Sequence, residues 1–96
     1  MSNWSVYIIQ CDDGSLYTGI STDVERRFKQ HIEGRGAKYF RAKRPKELIY
    51  TEVGHSRASA SRRESVIKKL SRVQKMKLIS GEDFKQIATR IKVEKS

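Results

Sequence analysis

The chain has 96 residues, 36% hydrophobic and 33% charged, with a formal net charge of +10. That length supports one domain with a modest core, and no apolar run approaches the roughly 20 residues a membrane-crossing helix needs. One cysteine and a start without a basic, apolar leader argue against a disulfide scaffold and a secretory signal, so a cytoplasmic domain is expected.

Trp4 to Cys11 is rich in β-branched and aromatic residues and predicts a strand. Asp13-Gly14 is a hairpin signal, and Leu16 to Ile20 is the returning strand. Thr22-Asp23-Val24-Glu25 fits a capping box with Thr22 as N-cap, opening a helix from Asp23 to Glu33 with Val24, Phe28 and Ile32 as its buried stripe. Gly34 and Gly36 end that helix. Residues 35–46 carry six basic residues and no acid, and with Pro45 they predict a loop. Glu47 to Val53 predicts a third strand. Ser56 then caps a helix from Arg57 to Leu70, and a shorter helix runs through Val73, Met76 and Ile79. Ser80 caps a last helix with Phe84, Ile87, Ala88 and Ile91 on one face. The expectation is a small α/β domain: a three-stranded antiparallel or mixed sheet flanked by helices, in the order β-β-α-β-α-α, plus a C-terminal helix. Residues 1–80 form the domain and 81–96 its C-terminal helical extension.

The basic excess is concentrated in the predicted loop and in the helical C-terminal half, a distribution that suits a polyanion and predicts nucleic-acid binding. Several polar residues stand out against it. Tyr7 and Tyr17 sit on the two arms of the predicted hairpin, which brings the strands together. Taken alone, they are accounted for by an aromatic cross-strand pair, a common feature of strands. Arg27 and His31 stack at a spacing of four on one helix, either as a solvated face or as a phosphate fork with a proton shuttle. Glu64 shares a helical face with Ala60, Ile67 and Ser71, amid Arg62, Arg63, Lys68 and Lys69. A carboxylate in that setting either pairs with Arg27 or Arg63, or holds a cation such as Mg²⁺, which uses only one or two protein carboxylates. His55 and Cys11 have no companions at metal-binding spacing, so zinc is not expected.

Together these residues resemble the GIY-YIG nuclease family, in its small standalone bacterial type. The first motif reads Ser5-Val6-Tyr7 and the second Tyr17-Thr18-Gly19. Arg27 follows Tyr17 by ten positions and His31 stands four further on. Gly36-Ala37-Lys38-Tyr39 and the helix around Glu64 complete the likeness, which covers about residues 4–80. The resemblance implies hydrolysis of DNA phosphodiester bonds with Mg²⁺ or Mn²⁺ held by Glu64, in a structure-directed or weakly specific manner suited to DNA repair or recombination. It implies Tyr7, Tyr17, Arg27, His31 and Glu64 as the catalytic set. Tyr17, or secondarily Tyr7, would take a proton from the attacking water, and Arg27 would offset charge on the phosphoryl oxygens. Gly19, Lys38, Tyr39, Arg41, Lys43, Arg44 and Lys68 would contact the nucleic acid. A protein partner supplying specificity is compatible with so small a chain, and a non-catalytic nucleic-acid-binding module or adaptor is the alternative on the same fold.

Overall fold

The computed structural model describes residues 3–80 and 91–92. Strand β1 spans Trp4–Cys11 and β2 Leu16–Ser21. Helix α1 spans Val24–Ile32, a 3-10 turn Lys38–Arg41, and β3 Pro45–His55. Helices α2 and α3 span Arg57–Lys68 and Arg72–Ile79, and a short β4 covers Ile91–Lys92. The sheet order is β2-β1-β3-β4 and every pairing is antiparallel, so the mixed-sheet option is excluded.

Strand β1 lies in the middle and is buried on both faces, which is why it reads as a continuous apolar run. Val6 and Ile8 point to one side, into a cluster with Ile49, Tyr50, Ala60, Ile67 and Ile79. Tyr7, Ile9 and Cys11 point to the other, against Phe28, Phe40 and Leu48. Helices α2 and α3 therefore cover one face, while α1 and the 3-10 turn cover the other. Ile8 pairs with Tyr50 but Ile9 pairs with Leu48, leaving Ile49 as an extra residue in β3. That bulge lets Ile49 and Tyr50 both serve the α2 face.

The hairpin forms as expected. Gly14 has φ +85°, and the Asp13 carboxylate accepts from the Ser15 backbone N–H at 3.0 Å. Arg72 of α3 donates to the Gly14 carbonyl at 2.8 Å, tying the turn to the helical layer.

Four local expectations are corrected. The N-cap of α1 is Asp23, whose side chain accepts from Arg26 N–H, and not Thr22. The buried stripe of α1 also differs: His31 is buried with Phe28, while Ile32 is 42% exposed. Ser71 is not part of the α2 face; it caps α3 in a reciprocal box with Gln74. The basic segment contains the 3-10 turn, anchored by buried Phe40, and Pro45 opens β3. The expected last helix lies outside the described residues, except that Ile91 is in strand geometry, paired with Leu48.

Candidate active site

The site is built outward from Tyr7. Its partner across the β1–β2 ladder is Gly19, and the tyrosine ring occupies the space that a side chain there would fill. A Cβ on Gly19 would stand 2.5 Å from the Tyr7 hydroxyl oxygen. Only glycine permits this crossing. The Tyr7 oxygen meets His31 Nε2 at 2.9 Å, in a buried contact.

His31 is held on every side. Its ring lies 4.4 Å from Phe40 and 5.4 Å from Tyr17, centroid to centroid. Tyr17 stacks in turn on Phe40 at 4.8 Å and on Tyr39 at 5.2 Å. The far edge of His31 faces the chain that follows α1. Gly34 closes that helix with its N–H on the His31 carbonyl and the Arg35 N–H on Gln30, a Schellman turn. The turn sends residues 36–37 back over the imidazole. The Ala37 N–H donates to His31 Nδ1 at 3.2 Å, and a Cβ on Gly36 would stand 1.9 Å from that same nitrogen.

Arg27 lies one helical turn before His31. Its guanidinium donates to the neutral amide of Gln30 at 2.9 Å and forms no ion pair with any described carboxylate. It borders an open pocket of about 190 Å³ lined also by Ser21, Thr22, Asp23, Arg26 and Gln30. Glu64 comes from the other side of the sheet, since α2 packs Ala60 and Ile67 against the Val6–Ile8 face. Helix α2 runs along the edge strand β2, and the Glu64 carboxylate comes within electrostatic reach of the Tyr7 phenol.

The electrostatics follow from these placements. Burial pushes the Tyr7 hydroxyl well above the usual phenol range. Tyr17 and Glu64 push it the same way, while Arg27 opposes them. Burial, with the Arg27 charge second, lowers His31 to about 4, so its imidazole is neutral at pH 7. Glu64 pairs with Lys68 at 3.4 Å and with neither Arg27 nor Arg63. Its side chain keeps 22% exposure. The described residues contain no group of three or more His, Cys, Asp or Glu that could hold a metal ion. A metal here would have one protein carboxylate and would take its other ligands from water and substrate phosphate, a donor set that suits Mg²⁺ or Mn²⁺.

A constellation of two tyrosines from a hairpin, an arginine and a histidine from the next helix, and a glutamate from a later one can now be set beside known proteins. Residues 3–77 match the family model described as the GIY-YIG catalytic domain. The chain belongs to the GIY-YIG family. It is 46% identical over 80 residues to a UPF0213 protein of Staphylococcus saprophyticus, covering 83% of this chain and 98% of that one. It is 48% identical over 82 residues to a UPF0213 protein of Cronobacter sakazakii, covering 85% and 86%. The small standalone GIY-YIG type expected from the motifs is therefore correct. The solution NMR structure of a UPF0213 protein from Bacillus halodurans superposes with a TM-score of 0.50 at 44% identity, covering 85% of this chain and 89% of that one. An E. faecalis protein solved by NMR gives 0.54 at 34% identity, over 83% and 90%. These confirm the GIY-YIG arrangement of an antiparallel sheet with three helices.

Within this GIY-YIG domain, the residues expected to meet nucleic acid divide. Lys38, Arg41 and Arg44 are exposed and form no ion pair with the described residues. Lys43 is tied to Asp13 at 3.2 Å and lies 5.2 Å from the centre of the Tyr39 ring. Lys68 is occupied by Glu64, and Gly19 and Tyr39 serve the aromatic packing. Sequence reading missed the cradle formed by Gly36, Ala37 and Phe40. Its faint signal was a glycine placed two residues beyond a helix-ending glycine. A second polar cluster was also missed. Glu52 accepts from Tyr50 at 2.7 Å and from Arg63 Nε at 3.0 and 3.1 Å, and it meets His55 at 2.6 Å. His55 also contacts the Ser59 hydroxyl.

Proposed function

We propose that the protein is a divalent-metal-dependent endonuclease that hydrolyses DNA phosphodiester bonds, structure-directed or weakly specific, with a place in DNA repair or recombination. The observation that carries this reading is Arg27: a half-buried cation beside the Tyr7 phenol with no carboxylate among the described residues paired to it. A phosphodiester supplies the missing anion, and the guanidinium fork matches its oxygens. Arg27 offsets the charge that grows on the phosphoryl oxygens during attack. Tyr17, the more exposed of the two phenols, serves in its phenolate form as the base that takes a proton from the attacking water and becomes the neutral phenol. Glu64 holds the Mg²⁺ or Mn²⁺, which when bound lowers the charge on the phosphate and the leaving oxygen. Lys38, Arg41 and Arg44 track the DNA backbone. All the residues given these roles fall within the proposed domain, residues 1–80.

A binding module without turnover is the second reading, favoured by the Lys68 ammonium on the Glu64 carboxylate. Incubation with Mg²⁺ or Mn²⁺ and a panel of branched, single-stranded and duplex DNAs separates the two. The expected result is metal-dependent cleavage by wild type, lost in Glu64→Gln with binding retained. Intact DNA across the panel, with binding retained, would establish the module.

A further inference from the structure

The hydrogen bonds around His31 have a direction, and the backbone decides it. The Ala37 N–H can only donate, so His31 Nδ1, at 3.2 Å, must present a lone pair. A neutral imidazole that accepts at Nδ1 carries its proton on Nε2. That proton points at the Tyr7 oxygen, 2.9 Å away. Tyr7 is therefore an acceptor toward His31, and its own hydroxyl proton is turned away from the histidine. The reverse arrangement, with Tyr7 donating to Nε2, would set the Nδ1 proton against the Ala37 N–H. The charged imidazolium would do the same, and it would also stand beside Arg27.

Little slack is available to reverse the chain. Ala37 is fixed because its carbonyl accepts from Phe40 N–H at 3.0 Å, and Phe40 packs on the imidazole. Gly36 leaves no room for a ring shift toward the loop. Among the described residues, the groups facing His31 are Arg27 from its own helix, Tyr7 and Tyr17 from the hairpin, and the Gly36–Phe40 segment. None of them is a carboxylate.

We infer that Tyr7 acts as a hydrogen-bond donor to an anionic phosphoryl oxygen of the substrate, held in that role by the chain Ala37 N–H to His31 to Tyr7, with His31 and Ala37 as positioning residues. Each donor in such a chain strengthens the next, so the last hydroxyl becomes a better donor toward an anion. Tyr7 then does not serve as the base, and water activation falls to Tyr17 alone. The inference rests on the nuclease reading for the identity of the anion but not for the direction of the chain.

The two parts are tested separately. Long-range ¹H–¹⁵N correlation on the labelled full chain reads the tautomer directly. His31 is expected to be protonated at Nε2 and bare at Nδ1 from pH 8 down to 6. An Nδ1–H tautomer, or an imidazolium above pH 6, overturns the chain whether or not the protein cleaves DNA. Cleavage kinetics read the role. Tyr7→Phe should lower the rate about 100-fold, the effect of removing one preorganised donor, at every pH and without changing the profile's shape. Loss of the rising limb of that profile would make Tyr7 the base and overturn the proposal. His31→Gln, whose amide can still donate to Tyr7, should recover most of the activity lost in His31→Leu; equal losses would overturn the positioning role. If the wild type cleaves nothing, the nuclease reading fails, and Tyr7→Phe is read on binding to a short branched DNA. There a lost hydrogen bond to a charged group should weaken affinity about 10-fold or more, and unchanged affinity would overturn the donor role.

Discussion

Tyr7 on β1 and Tyr50 on β3 are both almost fully buried, on opposite faces of one sheet, and burial disfavours ionisation of both. Their surroundings differ in one respect that matters for function. The Tyr50 hydroxyl donates to Glu52, and that carboxylate is also answered by Arg63 and His55. Charge on that face is matched by charge inside the protein. On the Tyr7 face the histidine is neutral, the arginine is paired with no described carboxylate, and the phenol proton is directed away from the imidazole. A polar cluster that satisfies itself holds a fold together. One that leaves a cation and a donor over is ready for an anion.

The sharpest way to break the contrast is to remove one member from each cluster. Arg27→Ala should lower metal-dependent cleavage at least about 100-fold, the scale for losing a preorganised electrostatic contact, and should leave the urea unfolding midpoint nearly unchanged. Glu52→Gln should do the reverse. It strands Arg63 in a partly buried site and is expected to cost about 2–3 kcal/mol in urea unfolding, with cleavage per folded molecule unaffected. A large stability loss in the first variant or a large activity loss in the second would erase the distinction.

Gly36→Ala probes the cradle itself. Its new Cβ would fall 1.9 Å from His31 Nδ1, so either the loop or the imidazole must move. Overpacking of this kind is expected to cost about 1–3 kcal/mol, measured by thermal or urea unfolding. A variant as stable as wild type would mean that the loop does not grip His31.

Acid titration of stability distinguishes the faces more finely. His31 falls from 6.5 to about 4 in the folded protein, so its contribution is complete above pH 6.5 and is lost as pH falls from there through about 4. Burial alone would raise Glu52, but hydrogen bonds from Tyr50, His55 and Arg63 hold it below its ordinary 4.5. Its contribution is therefore present above that value and disappears only at lower pH. Urea midpoints measured from pH 8 to 4 should decline in wild type, and less so in His31→Gln. The smallest expected effect is on binding. Replacing exposed Lys38 or Arg41 with Ala should reduce the dependence of log affinity on log salt by about one unit each, with unchanged stability.

Much of this molecule was legible before any coordinates. The hairpin at Asp13-Gly14, the order of strands and helices through α3, and the Ser56 cap are local matters of turn chemistry and periodicity, and they appear where expected. The α1 cap was misplaced by one residue because Thr22 and Asp23 are both good caps, and only the β2–α1 junction, where Ser21 Oγ accepts from Asp23 N–H, selects between them. The basic segment looked like a solvated loop because its lysines and arginines mask Phe40, whose burial against Tyr17 and His31 involves residues far apart in the chain.

By itself the sequence determined the α/β framework and the chemical types available to the site: two phenols, a guanidinium, an imidazole and a carboxylate. Tertiary structure alone decided which of them are answered from within. Pairings such as Arg63 with Glu52, Lys43 with Asp13 and Ala37 with His31 depend on how separate elements pack, and no short-range pattern encodes the direction or the partner of a hydrogen bond made across that packing.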